Sequence, residues 1–162
     1  MKVEPLNRSF GAKVSELSLP DLNQDQVKDI YQLWLQYALL IFPQQNLTNS
    51  QQIEFAKNFG SLEFDLSPIS NVRNDGSIRD ANDDDIVKSL KGNMERHHDS
   101  TYMPIQAKGA VFTAHKVQKK GGEPGWADMR AAYEGLSNAM KEKIEDLSAY
   151  HSYEWSQKER FG

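Results

Sequence analysis

Four consecutive apolar residues, Leu39-Leu40-Ile41-Phe42, are cut off by Pro43. A run this short and continuous, ended by a residue that cannot donate to a ladder, reads as a buried strand. Its flanks repeat at a different period. After Asn23, which suits a helix N-cap, Val27, Ile30, Tyr31, Trp34 and Ala38 recur at helical spacing. That amphipathic helix is expected to pack on a sheet, with Trp34 as a core residue rather than a binding one. On the other side, Thr48 with Gln51 three residues later forms a capping box. Ile53, Ala56 and Phe59 make the inner face of this second helix, and Gly60 stops it. Residues 8–19 read as a short strand and turn ahead of Pro20.

Beyond Gly60 the pattern loosens. Residues 65–92 are polar and irregular, long enough to imply a functional or mobile loop. Asp80, Asn82 and Asp84 begin like a calcium loop, but Asp85 stands where the turn needs glycine and Lys91 where it needs glutamate, so a solvated acidic loop is expected. Lys88 and Lys91 follow, able to meet an anion or to serve as ordinary surface lysines. Residues 109–117 alternate well enough for a strand, with His115 on the sheet surface, and Lys119-Lys120-Gly121-Gly122 makes a tight turn. After Asp128 the chain reads as helical through Tyr133, breaks at Gly135-Leu136, and restarts at Ser137 with Met140, Ile144 and Leu147 on one face. Residues 148–155 look like the start of another strand or a lid. There is no repeat and no low-complexity linker.

The 162 residues suffice for one domain with a sizeable core, and the net charge of −4 gives no sign of a nucleic-acid or membrane-surface binder. The absence of cysteine removes disulfides and thiolate metal sites, leaving His and carboxylate as the strong ligands. Met1-Lys2-Val3-Glu4-Pro5-Leu6 is charged where a signal peptide needs an apolar run, and no stretch approaches membrane-spanning length. A cytoplasmic protein is the expectation.

The strongest chemical signal is His97-His98-Asp99. If this segment is extended, His97 and Asp99 project from one face, roughly 6–7 Å apart along the chain, with His98 on the other. One imidazole and one carboxylate are two-thirds of the triad that holds non-heme Fe(II). An isolated His-x-Asp is ordinarily a hydrogen-bonded surface pair, so the surroundings must decide.

Those surroundings follow a recognisable order: Asn93, then His97-His98-Asp99-Ser100-Thr101-Tyr102, Gly121-Gly122, and Trp126-Ala127-Asp128-Met129-Arg130-Ala131-Ala132-Tyr133. Together with Phe10-Gly11-Ala12, Phe59-Gly60-Ser61-Leu62 and Ala149-Tyr150-His151, they resemble the Fe(II)/2-oxoglutarate-dependent dioxygenases of the taurine/phenoxyacetate dioxygenase (TauD/TfdA) family, the phenoxyacetate branch more closely. The resemblance covers nearly the whole chain. It implies an α+β to mainly β fold: a double-stranded β-helix (jelly-roll) with flanking helices, here incomplete. It also implies Fe(II), 2-oxoglutarate as cosubstrate, molecular oxygen, and hydroxylation of a small anionic substrate such as a sulfonate or aryloxy-carboxylate. His97 and Asp99 match the family's two early iron ligands, Asn93 a substrate contact, and Lys91 sits where an anionic substrate would enter.

Other positions depart from the pattern. Pro124 occupies the place of a threonine that holds the far carboxylate of 2-oxoglutarate, and supplies neither a hydroxyl nor an N–H. Arg96 replaces a tryptophan ahead of the first ligand, and Gln118 a proline before the turn. The family's second His ligand and late Arg have no counterpart, and His151 comes too early. The expectation is therefore a single domain over 1–162, truncated on its C-terminal side, with 65–92 as an active-site loop. Two readings follow: a dioxygenase portion that is inactive alone, or a remnant acting as a binding or oligomerisation module. Unpaired strand edges at 109–117 and 148–155 would favour homo-oligomers.

Overall fold

Alternation along Ala12-Lys13-Val14-Ser15 organises the first part of the structure. Ala12 and Val14 are fully buried while Lys13 is exposed, so the strand shows one face to a core. This is a computed structural model describing residues 1–6, 8–80, 82–92, 94, 97–117 and 119–154. It divides into two units: Met1–Leu66 with Ala110–Glu123 and Asp128–Leu136, and Ser67–Gly109 with Pro124–Ala127 and the described part of Ser137–Gly162.

In the first unit, β1 (Lys2–Pro5) pairs antiparallel with β2 (Ala12–Ser15), Val3 opposite Val14. The connection closes through the Leu6 N–H, which donates to the Gly11 carbonyl at 2.9 Å. Gly11 has φ +93, a conformation that calls for glycine, while a Cβ there would meet only the movable tip of the Leu6 side chain. β3 (Leu40–Ile41) joins β2 in parallel, Ala12 opposite Leu40, giving a sheet of order β1-β2-β3.

Between β2 and β3 runs α1 (Gln24–Tyr37). Its Asn23 cap is a full capping box, the Asn23 side chain accepting from the Gln26 N–H and the Gln26 side chain from the Asn23 N–H. The helix ends at Ala38, which takes a left-handed φ of 60 without being glycine. That conformation costs about 1 kcal/mol, and three contacts hold it. The Ala38 N–H donates to Trp34, Trp34 Nε1 donates to the Ala38 carbonyl at 3.1 Å, and the Gly11 N–H donates to Tyr37 at 2.8 Å.

α2 (Asn49–Lys57) starts in the Thr48–Gln51 capping box expected from the sequence. The core gathers Leu19, Ile30, Leu47 and Phe55, packed by Leu40, Phe42, Phe59 and Val111 among others. Burying each large apolar side chain contributes about 1.5–3 kcal/mol. Trp34 is a packing residue, its ring 6.0 Å from Phe59 and 6.1 Å from Tyr31. The expected inner face of α2 omitted Phe55, its most buried residue, while Ile53, Ala56 and Phe59 are half-buried. β3 is shorter and less buried than Leu39-Leu40-Ile41-Phe42 implied, with Ile41 44 % exposed, because it lies at the edge of the sheet.

α4 (Met129–Glu134) is also in this unit, and Asp128 caps it by accepting from the N–H groups of Arg130 and Ala131. Residues 109–117 do not form the expected strand. They run irregularly, held where Gln52 Nε2 donates to the Val111 carbonyl at 2.9 Å, because side-chain alternation supplies no ladder partner.

The second unit opens with a bridge between Val72 and Ile78 around a turn at Gly76. Arg73 and Arg79 both reach Asp84 Oδ2, at 2.8 and 3.3 Å. Burial opposes the Asp84 charge, yet the Arg79 hydrogen bond, the Ile86 N–H and both guanidinium charges hold its carboxyl below the usual range. α3 (Asp85–Gly92) follows, burying Val87, so the region 65–92 is not wholly a loop. α5 (Asn138–Ile144), capped by Ser137, keeps Met140 44 % exposed. Residues 148–152 are irregular and 153–154 helical, so no strand begins there; Trp155 lies outside the described residues. The described residues thus form an α+β arrangement with one small mixed sheet, and the jelly-roll is not seen in it.

Candidate metal centre

Residues 97–98 are irregular and 99–102 form a turn, closed by the Met103 N–H donating to the Ser100 carbonyl at 3.0 Å. Ser100 is buried with φ +59, a left-handed conformation that ends any extended run. The strand expected at His97-His98-Asp99 is therefore absent, and with it the alternation that would set His98 opposite its neighbours.

His97 and Asp99 still meet. His97 Nε2 lies 3.0 Å from Asp99 Oδ1, both side chains well exposed. The turn, not strand alternation, brings them together. Two donors cis on one octahedral ion, with bonds of about 2.1 Å, sit about 3 Å apart. The pair can thus address a single ion with little rearrangement. Among the described residues no group of three His, Cys, Asp or Glu is placed to hold a metal. The donor chemistry suits two positions of a non-heme Fe(II) site.

The other sequence candidates are scattered. Lys91 is exposed on the last turn of α3. Asp80, in the acidic run, accepts from the N–H groups of Asn82 and Asp83, which hold its carboxyl below the usual range against burial and the Asp84 charge, with help from Lys91. These are loop and cap contacts. Asn93, Arg96 and Gln118 lie outside the described residues. Pro124 is exposed on irregular backbone; residues 119–121 bend, with Gly121 and Gly122 at φ +79 and +78, but no hydrogen-bonded turn is seen there among the described residues. His115 is exposed in a bend rather than on a sheet, and His151 is exposed on irregular backbone.

Sequence reasoning missed Gln106. Its Nε2 lies 2.9 Å from His98 Nδ1, which in turn lies 2.8 Å from the Asp99 carbonyl oxygen. No spacing rule flags a glutamine eight residues along, because a turn rather than a regular element sets the contact.

The family model for the taurine catabolism dioxygenase TauD, TfdA family matches residues 2–161. The chain belongs to that family. A relative from Sphingobium herbicidovorans, an (S)-phenoxypropionate/alpha-ketoglutarate-dioxygenase, is 53 % identical over 156 residues, covering 96 % of this chain and 54 % of its own length. One of the same name from Delftia acidovorans is 44 % identical, over 97 % of this chain and 56 % of its own length. A solved structure, AAD-2 in complex with Mn(II) and N-oxalylglycine, superposes with a TM-score of 0.87 at 33 % identity, over 98 % of this chain and 59 % of that one. The chain spans about half the length of the curated relatives it matches.

Proposed function

We propose that this chain carries the early part of an Fe(II)- and 2-oxoglutarate-dependent dioxygenase that hydroxylates a small anionic organic substrate of the aryloxyalkanoate type. The observation that carries the reading is the 3.0 Å approach of His97 Nε2 and Asp99 Oδ1 in a chain of this family. The names of the two phenoxypropionate relatives support the substrate class. The ligands named for the AAD-2 structure support the cofactor set. Mn(II) is a divalent ion of the same charge as Fe(II), and N-oxalylglycine has an N–H where 2-oxoglutarate has a methylene.

When bound, the iron with 2-oxoglutarate and molecular oxygen supplies the oxidising power for an unactivated C–H bond, with succinate and CO2 as coproducts. The chain's own residues prepare for that. His97 offers a neutral imidazole nitrogen and Asp99 a carboxylate whose charge offsets part of the ion's. Asn93 and Lys91 contact the anionic substrate, Lys91 bringing a solvent-exposed cation near its path. Pro124 offers no donor to a carboxylate. The reading takes 1–162 as one family domain with jelly-roll architecture, and places it in the cytoplasm. No helix among the described residues is long and apolar enough to cross a membrane.

Calorimetric titration with Mn(II) tests it. Weak but saturable binding is expected, lost in Asp99→Ala; an Asp99→Ala chain that binds like the parent overturns the reading.

A further inference from the structure

We propose that His98 is a positioning residue for the His97–Asp99 pair, acting as a clamp on the turn that brings the two ligands together. The proposal rests on the metal reading above. His98 Nδ1 lies 2.8 Å from the Asp99 carbonyl oxygen and 2.9 Å from Gln106 Nε2. A carbonyl oxygen can only accept, so the ring must carry its proton on Nδ1 to bond Asp99. With the proton there, the Gln106 amide must turn its oxygen, not its nitrogen, toward the ring, an exchange the near-identical shape of the two ends permits. The single Nδ1–H, shared between the Asp99 and Gln106 oxygens as a three-centre bond, then ties the backbone of Asp99 to a point seven residues further along the chain.

Physical need for such a tie is visible in the turn itself. Ser100, next to Asp99, holds a left-handed φ of 59 that a serine does not favour. The turn is also closed by the Met103 N–H on the Ser100 carbonyl at 3.0 Å. That bond falls on the far side of Ser100, whereas rotation of the Asp99 peptide would swing the carboxylate away from His97. The His98 contact falls on that peptide. The side chain between the two ligands, which strand alternation would have turned away from the site, thus bears on its geometry through the backbone. Groups that orient metal ligands in this way commonly change metal affinity by about 10–100-fold when removed.

The test compares Mn(II) affinity, measured by calorimetry, for the parent chain, His98→Ala, His98→Asn, Gln106→Ala and Asp99→Ala. Far-UV circular dichroism of each variant confirms the fold. Asparagine can place an amide N–H near the position of Nδ1–H. The expected result is a fall of about 10–100-fold in His98→Ala, most of it restored in His98→Asn, and a smaller fall in Gln106→Ala. Imidazole ¹⁵N shifts of the metal-free chain should also show His98 as the Nδ1–H tautomer. Unchanged affinity in His98→Ala while Asp99→Ala loses binding would overturn the proposal, as would an Nε2–H tautomer or a His98→Asn no better than alanine. Should Asp99→Ala bind Mn(II) like the parent, the metal reading is what fails, and the tautomer measured without metal still decides whether His98 clamps the turn.

Discussion

Arg130 donates through Nη1 to the Leu35 carbonyl at 3.0 Å, ninety-five residues back along the chain. Its Nη2 reaches the Gln36 carbonyl at 3.3 Å, so one guanidinium covers two of the carbonyls left open at the C-terminal end of α1. A cation there also complements the helix dipole. Arg130→Ala is expected to lower stability by about 1 kcal/mol in urea unfolding. Arg130→Lys should recover only part of that, since an ammonium lacks the planar fork. A Lys variant as stable as the parent would contradict this account.

Asp128 gives the first unit an acid-sensitive joint. The Ala131 N–H foremost, against burial, then the Ser9 hydroxyl, the Arg130 N–H and the Arg130 charge hold its carboxyl below the usual value of 3.8. With the folded pKa depressed, the stabilisation is complete above the unfolded value and is lost as pH falls through the folded one. Thermal unfolding should thus be flat above about pH 5 and decline below pH 3.8. Asp128→Asn should lower stability at neutral pH and make the acid decline shallower. An unchanged acid limb in that variant would rule out the assignment.

Much of the first unit was legible from the sequence because its signals are local. Asn23, Thr48 with Gln51, and Asp128 each act within one helical turn, and all three cap helices; Ser137 does the same in the second unit. Strand expectations at 109–117 and, as far as residue 154, at 148–155 failed because alternation describes one strand while a ladder needs two. α3 was hidden by the acidic run before it, although Ile86, Val87 and Leu90 carry its apolar face. At the candidate centre the residue types were legible and the backbone was not, since nothing in His98-Asp99-Ser100 announces a left-handed serine.

Turnover by the 162-residue chain is expected to stay at background. His97 and Asp99 offer two ligands, and Pro124 offers no hydroxyl for the far carboxylate of 2-oxoglutarate. Pro124→Thr alone should not raise succinate formation, because it adds no metal ligand. Succinate production by the parent that requires both Fe(II) and 2-oxoglutarate, and vanishes in Asp99→Ala, would show that two protein ligands suffice.

Association should be concentration-dependent. In the second unit Ile105, Met94, Ile69 and Leu147 are 88, 81, 73 and 69 % exposed. Covering one such side chain is worth about 1.5–3 kcal/mol, enough for several together to hold two copies. Sedimentation across a concentration series is expected to show species larger than a monomer, shifted toward monomer in Ile105→Lys. A monomer at every concentration with one sharp unfolding transition would contradict this.

The claim on which the functional reading turns is that His97 and Asp99 address one divalent ion. Paramagnetic broadening by substoichiometric Mn(II) tests it directly, because the chain has only four histidines, and His115 and His151, outside the proposed pair, serve as comparisons. The His97 ring and Asp99 side-chain resonances should broaden first, while those of His115 and His151 persist, and the selectivity should disappear in Asp99→Ala. Equal broadening at His97, His115 and His151, or selectivity that survives Asp99→Ala, would contradict the account.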